Sequence, residues 1–197
     1  MPANASGPPR SRVAGLLLAA GGGRRFGMPK ALVPFGGGLL VEHALVALGG
    51  CDPVVVVLGA DADRVPPLAA TVVRNPDWAT GMGSSLRVGL AALPADADAV
   101  VVLTVDTPGV TRAAVDRLAA LAHPDALARA SYAGDPGHPV LLGRAHWPGV
   151  AAAAHGDTGA RPYLRAHPVL DVPCADIADG ADADHPHDLP GNRGEHN

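Results

Sequence analysis

Apolar runs of strand length recur along the chain, and none of them alternates with polar residues. Val13-Ala14-Gly15-Leu16-Leu17-Leu18-Ala19, Val54-Val55-Val56-Val57-Leu58 and Ala99-Val100-Val101-Val102-Leu103-Thr104-Val105 are the strongest, and Thr71-Val72-Val73 is shorter. Unbroken apolarity suits a strand covered on both faces. Helical patterns fill the gaps: 40–48, closed by Gly49-Gly50; 84–93; and 111–122, stopped by Pro124. Strands alternating with helices at this spacing predict an α/β fold, with a mostly parallel sheet between two helical layers. Beyond Pro124 the pattern weakens. There 126–132, 139–142 and 169–172 read as strands, 161–166 as a short helix and 151–154 as one helical turn. The polar, Pro/Gly-rich ends, 1–12 and 191–197, read as disordered tails around a single domain spanning 13–190.

Composition narrows the picture. The 197 residues carry 15 Lys+Arg against 19 Asp+Glu, a formal net charge of -4, with no basic stripe. Such a chain is a poor partner for nucleic acid or an anionic membrane. Apolar residues make up 48% and aromatics only 3%, so the core must be built from Val, Leu and Ala. Gly (25) and Pro (20) together stay just under the roughly 25–30% that suggests disorder. Cys51 and Cys174 lie far apart and form no CxxC, which fits two reduced thiols rather than a disulfide framework or zinc site. No apolar run approaches the roughly 18 residues of a membrane span. The short run 13–20 leads into glycines and arginines rather than a cleavage site, so no signal peptide is expected and the cytoplasm is the predicted location.

In parallel sheets of this kind ligands bind outside the carboxyl ends of the strands. The first strand is followed by Ala20-Gly21-Gly22-Gly23-Arg24-Arg25-Phe26-Gly27-Met28-Pro29-Lys30. Successive glycines let backbone N–H groups converge on an anion with no Cβ in the way, and the cations that follow add charge, a combination able to hold a triphosphate. A Walker loop does not fit, because Met28-Pro29 separate Gly27 from Lys30; a dinucleotide fingerprint fails at Phe26. The longest strand ends in Asp106-Thr107-Pro108, a carboxylate suited to Mg²⁺ on the phosphates of a nucleotide. After the third strand, Asn75-Pro76-Asp77-Trp78-Ala79-Thr80-Gly81-Met82-Gly83-Ser84-Ser85 opens a helix and offers a donor-rich edge for a base or ribose.

The pattern Leu18-Ala19-Ala20-Gly21-x-Gly23-x-Arg25-x-Gly27-x-x-Lys30 resembles the signature loop of nucleotidyltransferases with the GT-A-like, Rossmann-like fold of the nucleotide-diphospho-sugar transferases. Within these it is most similar to the molybdenum-cofactor group, the MobA/MocA-like proteins, with Phe26 in place of the usual Met. The resemblance implies transfer of a nucleoside monophosphate from an NTP onto a phosphate, with release of pyrophosphate. It implies Arg25, Lys30 and Asp106 as catalytic residues. It implies Ala19, Ala20, Gly21, Gly22, Gly23, Arg25, Lys30, Asn75, Gly81, Ser84, Ser85 and Asp106 as the nucleotide site, with Mg²⁺ on Asp106. Gly137-His138-Pro139 and Gly156-Asp157-Thr158-Gly159-Ala160-Arg161 resemble two further elements of the group, which implies His138, Pro139, Asp157 and Arg161 at the acceptor. Asp182-Ala183-Asp184-His185-Pro186-His187-Asp188 is similar to its Asp-Ile-Asp-Thr-Pro-Glu-Asp ending, with His185 for Thr and His187 for Glu, and implies Asp184 as a second metal ligand.

GTP-using relatives resemble Leu-Ala-Gly-Gly where this chain has Ala20. The extra Cβ crowds a purine, which favours CTP over GTP and a molybdopterin-type acceptor. The resemblance also implies a molybdenum hydroxylase apoenzyme as a partner. Ala20 occurs as well in relatives that act on sugar or isoprenoid precursors, so another phosphate acceptor is one alternative. A non-catalytic accessory protein that binds nucleotide or cofactor during hydroxylase maturation is another.

Overall fold

The computed structural model describes residues 11–190. In chain order its elements are β1 (Val13–Ala19), the small hairpin of β2 (Pro34–Phe35) and β3 (Gly38–Leu39), α1 (Leu40–Ala47), β4 (Val54–Leu58), β5 (Thr71–Arg74), α2 (Met82–Ala91), β6 (Ala99–Thr104), α3 (Arg112–Ala119), β7 (Leu127–Tyr132), β8 (Asp135–Gly143), α4 (Trp147–Ala153), α5 (Arg161–Ala166) and β9 (Leu170–Pro173). Seven strands form one sheet in the order β5-β4-β1-β6-β8-β7-β9. Strands β5, β4, β1 and β6 run parallel. Strand β8 opposes both β6 and β7, and β9 is parallel to β7, so the sheet is mixed but mostly parallel.

The missing alternation in the strands has a direct cause. Successive residues of β1 point to opposite faces, and both faces are covered. Leu17 and Ala19 join Val56, Leu58, Val101 and Leu103 in a core closed by α1 and α3. Leu16 and Leu18 join Val55, Val57, Val100 and Val102 in a second core closed by α2, α4 and α5. The eleven buried valine and leucine side chains named in the two layers would each contribute about 1.5–3 kcal/mol relative to exposure, before the entropy of ordering them is set against it. Cys51 and Cys174 are free and buried, and burial pushes the Cys51 thiol up to about 11.

Several boundaries differ from the sequence-based expectation. The strand expected over 139–142 extends over Asp135–Gly143, because Ala133 (φ 52°) and Gly134 (φ 95°) form a two-residue turn that pairs Tyr132 with Asp135. Helix α2 begins at Met82 rather than Ser84: Gly81, at φ 111°, takes the N-cap position, and Ser84 spends its hydroxyl on the Gly81 and Asp77 carbonyls. The turn expected at 151–154 belongs to α4, which starts earlier at Trp147 with Pro148 in its first turn. The β2–β3 hairpin, turning through Gly36 and Gly37, has too few residues to leave a periodic signal. Ser11 and Arg12 are tied down: Ser11 Oγ donates to the Ala122 carbonyl (2.8 Å), and the Arg12 amide to Asp98 (2.9 Å). The tails expected at 1–10 and 191–197 lie outside the described residues. Among those described, no helix is long and apolar enough to cross a membrane.

After β9 the chain returns across the end of β6 as a strap over 174–189. The Asp179 amide donates to Gly109 O (3.0 Å) and the Ala183 amide to Asp106 O (2.7 Å). The strap thereby places Asp182 and Asp184 beside the exits of β1 and β6.

Candidate active site

A cavity of about 460 Å³ opens at the carboxyl ends of β1 and β6. Its floor and one wall are the loop after β1. Gly23 sits at φ +58°, and a Cβ there would lie 1.8 Å from the Met28 carbonyl oxygen, so the loop closes only with glycine at this place. The Phe26 amide donates to Gly23 O (2.9 Å), which turns the chain back so that Lys30 re-enters the site. The opposite wall is Trp78 through Met82, with Ser85 behind it. Trp78 packs where Gly22 and Gly59 leave room: a Cβ would come within 3.0 Å of the indole at Gly22 and 2.5 Å of the Trp78 Cβ at Gly59.

Lys30 lies at the centre of the charged cluster. Its side chain is only 15% exposed, and its Nζ donates to Asp106 Oδ2 and to Asp184 Oδ1, each at 3.1 Å. Arg25 reaches the other oxygen of Asp184 at 2.6 Å. Those two cations, the Lys30 hydrogen bond first, hold the Asp184 carboxyl below its ordinary range. Asp182 is shifted the opposite way, pushed up by burial and by the neighbouring charge of Asp106. Burial also lowers His138, against the pull of Asp106 and of its contact with the Val102 carbonyl.

Of the residues singled out from the sequence, Ala20, Gly21, Gly22, Gly23, Lys30, Gly81, Ser85 and Asp106 line this one cavity. Asp157, expected at the acceptor, lines it too, brought in by a 3₁₀ turn over Gly156–Thr158 that packs on Gly81. Arg25 and Asp184 are joined to it through Lys30. Ala19, Asn75 and Ser84 sit behind the surface rather than on it. Ala19 is buried in β1, while the buried Asn75 amide donates to the hydroxyls of Ser84 (2.8 Å) and Ser85 (2.9 Å) and its carbonyl accepts from the Asp77 amide. The group thus ties the edge of β5 to the first turn of α2. His138 and Arg161 line a separate slot of about 70 Å³, walled by Leu86, Val102, Val140, Leu142 and Leu164, which adjoins the main cavity through Leu18 and Met82. Pro139 is buried in β8. Arg24, Thr80 and Met82 line the main cavity without having been given a site role from the sequence. Arg24 carried a visible signal, a second cation in the glycine loop. Met82 and Thr80 carried none beyond their place in the segment 75–85.

The arrangement gathers the loop amides and a lysine–carboxylate pair around a space large enough for a nucleotide. Comparison with known proteins finds relatives of more than one named activity. The curated nicotine blue oxidoreductase of Paenarthrobacter nicotinovorans is 41% identical over 188 residues, covering 87% of this chain and 92% of that protein. The molybdenum cofactor guanylyltransferase of Rhodobacter capsulatus is 33% identical over 139 residues, 69% of this chain and 66% of the relative. The crystal structure of an Rv0371c homolog from Mycobacterium sp. strain JC1 superposes with a TM-score of 0.76 at 33% identity, over 89% of this chain and 92% of the other. Residues 15–172 match the MobA-like NTP transferase domain. The chain belongs to the MobA-like NTP transferase family, enzymes of nucleotidyltransferase type.

Proposed function

We propose that this protein moves a nucleoside monophosphate, CMP from CTP, onto the phosphate of a molybdopterin-type acceptor and releases pyrophosphate. The observation that carries the reading is the meeting of Gly21–Gly23, Lys30 and Asp106 in one cavity. The triphosphate lies against the loop amides, with Lys30, Arg24 and Arg25 offsetting its charge. The acceptor phosphate, already ionised near neutral pH, attacks the α-phosphorus in line. The new P–O bond forms as the bond to the bridging oxygen of the β-phosphate breaks, and that oxygen keeps the electron pair as pyrophosphate departs. No protein base is required. Charge building on the α-phosphate and leaving group faces donors fixed by the fold, which need no reorganisation at the moment of transfer.

The residues present fit a divalent cation. Asp106 and Asp184 already converge on one positive group, the Lys30 ammonium, at 3.1 Å each. Among the described residues no three His, Cys, Asp or Glu side chains gather as a metal cage. One or two carboxylates completed by substrate phosphates is the manner in which Mg²⁺ is commonly held. Bound there, Mg²⁺ would act as a Lewis acid on the phosphoryl oxygens. Ala20, at the end of β1 and on the cavity wall, supports CTP over GTP by presenting a Cβ to the base. The small slot with His138 and Arg161 supports an anionic acceptor entering from the β8 side, with a guanidinium suited to a phosphate. A molybdenum hydroxylase apoenzyme is the recipient this reading implies.

A second reading comes from the relative named as an oxidoreductase, which is similar over nearly its whole length. In that reading the main cavity of about 460 Å³ holds a reduced nucleotide together with the acceptor of its hydride. One panel separates the two. Each NTP is mixed with Mg²⁺, with and without molybdopterin, and pyrophosphate is measured; in parallel, NADH and NADPH oxidation is followed with a quinoid dye. Acceptor-dependent pyrophosphate release, greatest with CTP, supports transfer. Dye-dependent NAD(P)H oxidation with no pyrophosphate replaces it. Nucleotide binding with neither reaction leaves the accessory role.

A further inference from the structure

Resting on the transferase reading, we infer that Lys30 and Asp184 are stand-ins for the two halves of the metal–nucleotide complex, so that metal and nucleotide enter by exchanging places with a preformed set of ion pairs. The geometry is reciprocal. Lys30 Nζ occupies the point between Asp106 Oδ2 and Asp184 Oδ1, the place of a cation shared by two carboxylates. Asp184 in turn spans Lys30 and Arg25, one oxygen on each, the place of an anion shared by the loop cations. Asp184 does not hang free in this position. The amides of Asp184 and His185 both donate to Asp188 Oδ2 (3.0 and 2.7 Å), and the neighbouring Ala183 amide is fixed to the Asp106 carbonyl.

Each ligand alone therefore meets a competitor. A metal ion arriving alone must expel the Lys30 ammonium from between its carboxylates, with no phosphate present to receive it. A triphosphate arriving alone must draw Lys30 and Arg25 away from Asp184, leaving two carboxylates facing each other without a cation. When both arrive, the phosphates take the two cations and the metal takes the two carboxylates, and every charge is again paired. The two bindings are thus thermodynamically coupled through Lys30, and coupling of this kind is reciprocal. The chain keeps Asp106 and Asp184 neutralised without ligand, and it accepts a free divalent ion poorly.

The test is by binding, so it does not depend on turnover. Mn²⁺ affinity is measured from the spin resonance of the free ion, with no nucleotide present, for wild type, Lys30→Met and Lys30→Gln. CTP affinity is measured calorimetrically in EDTA for wild type and Asp184→Asn. Removing the lysine is expected to tighten Mn²⁺ binding by about 5–150-fold, the usual span of a coupling between two sites. Asp184→Asn is expected to tighten metal-free CTP binding while weakening Mn²⁺. Unchanged or weaker Mn²⁺ binding in both lysine variants overturns the inference, as does weaker metal-free CTP binding in Asp184→Asn. Failure of the transferase reading would show separately, as no pyrophosphate from the wild type with any NTP and acceptor.

Discussion

The parallel half of the sheet, β5-β4-β1-β6, meets the cavity with segments that directly follow its strands, whereas the half beyond β8 meets it with segments folded back from a distance. On the first side the contacts are the glycine loop with Lys30, the segment Trp78–Met82, and Val105 and Asp106 after β6; on the second they are Asp157 and, through the strap, Asp184. Segments next to a strand are set by local chain geometry, and at Gly23 a Cβ would run into the Met28 carbonyl. Side chains delivered from a distance can be exchanged without refolding the cradle. The first half therefore rests on local chain geometry, and the second on how distant segments pack back onto the sheet.

That contrast can be broken most sharply at its centre. Lys30→Ala is expected to lower pyrophosphate release by about 10²–10³, the loss of one preorganised charge donor. Arg25→Ala should cost only about tenfold or less, since its side chain is 66% exposed and solvent screens its charge. Equal losses in steady-state assays would erase the distinction between cavity and rim. Next, Gly23→Ala places a methyl against the Met28 carbonyl at positive φ and should destabilise the fold by about 1–3 kcal/mol, measured by denaturant unfolding. A similar loss from Ala at Gly21, whose Cβ meets nothing within 4 Å, would show that the loop is not shaped as described.

Asn75→Ala tests whether that residue supports the wall rather than touching nucleotide. It removes the donor shared by Ser84 and Ser85 and should cost about 1–3 kcal/mol of stability, with KM for NTP changing less than the unfolding midpoint. The smallest effect is expected at His138. Burial lowers its folded-state value below that of the unfolded chain, so the unfolded state binds the proton first as pH falls. Stability is therefore full above the unfolded value of about 6.5 and declines as pH drops from there towards the folded value. His138→Gln should flatten that decline in unfolding measured from pH 8 to 5; an unchanged slope would assign it to other groups.

The difference between the halves also explains what was legible in the residues. Strands β1, β4 and β6 announce themselves because burial on both faces demands unbroken apolarity, and Asp106 is visible because it ends the longest of them. The loop is visible because only glycines let amides converge. Beyond β8 the signal is poorer. The Ala133-Gly134 turn is not among the usual Asn-Gly or Asp-Gly hairpin pairs, so the length of β8 was missed. Asn75 and Ser84 looked like ligand contacts, because a donor-rich segment at a helix start reads the same whether its donors face outwards or bond to one another.

By itself, then, the amino-acid order determined the layering of the fold, the glycine-rich loop and the acid at the end of β6, since each follows from local periodicity or from what a missing Cβ permits. Only the tertiary structure decided which charges face which. Asp184 meets Lys30 across 154 residues of sequence and Asp157 joins the main cavity rather than the slot of His138 and Arg161. Such pairings depend on how the strap and the turn after α4 pack back onto the sheet, and no local pattern of residues encodes a distance through space.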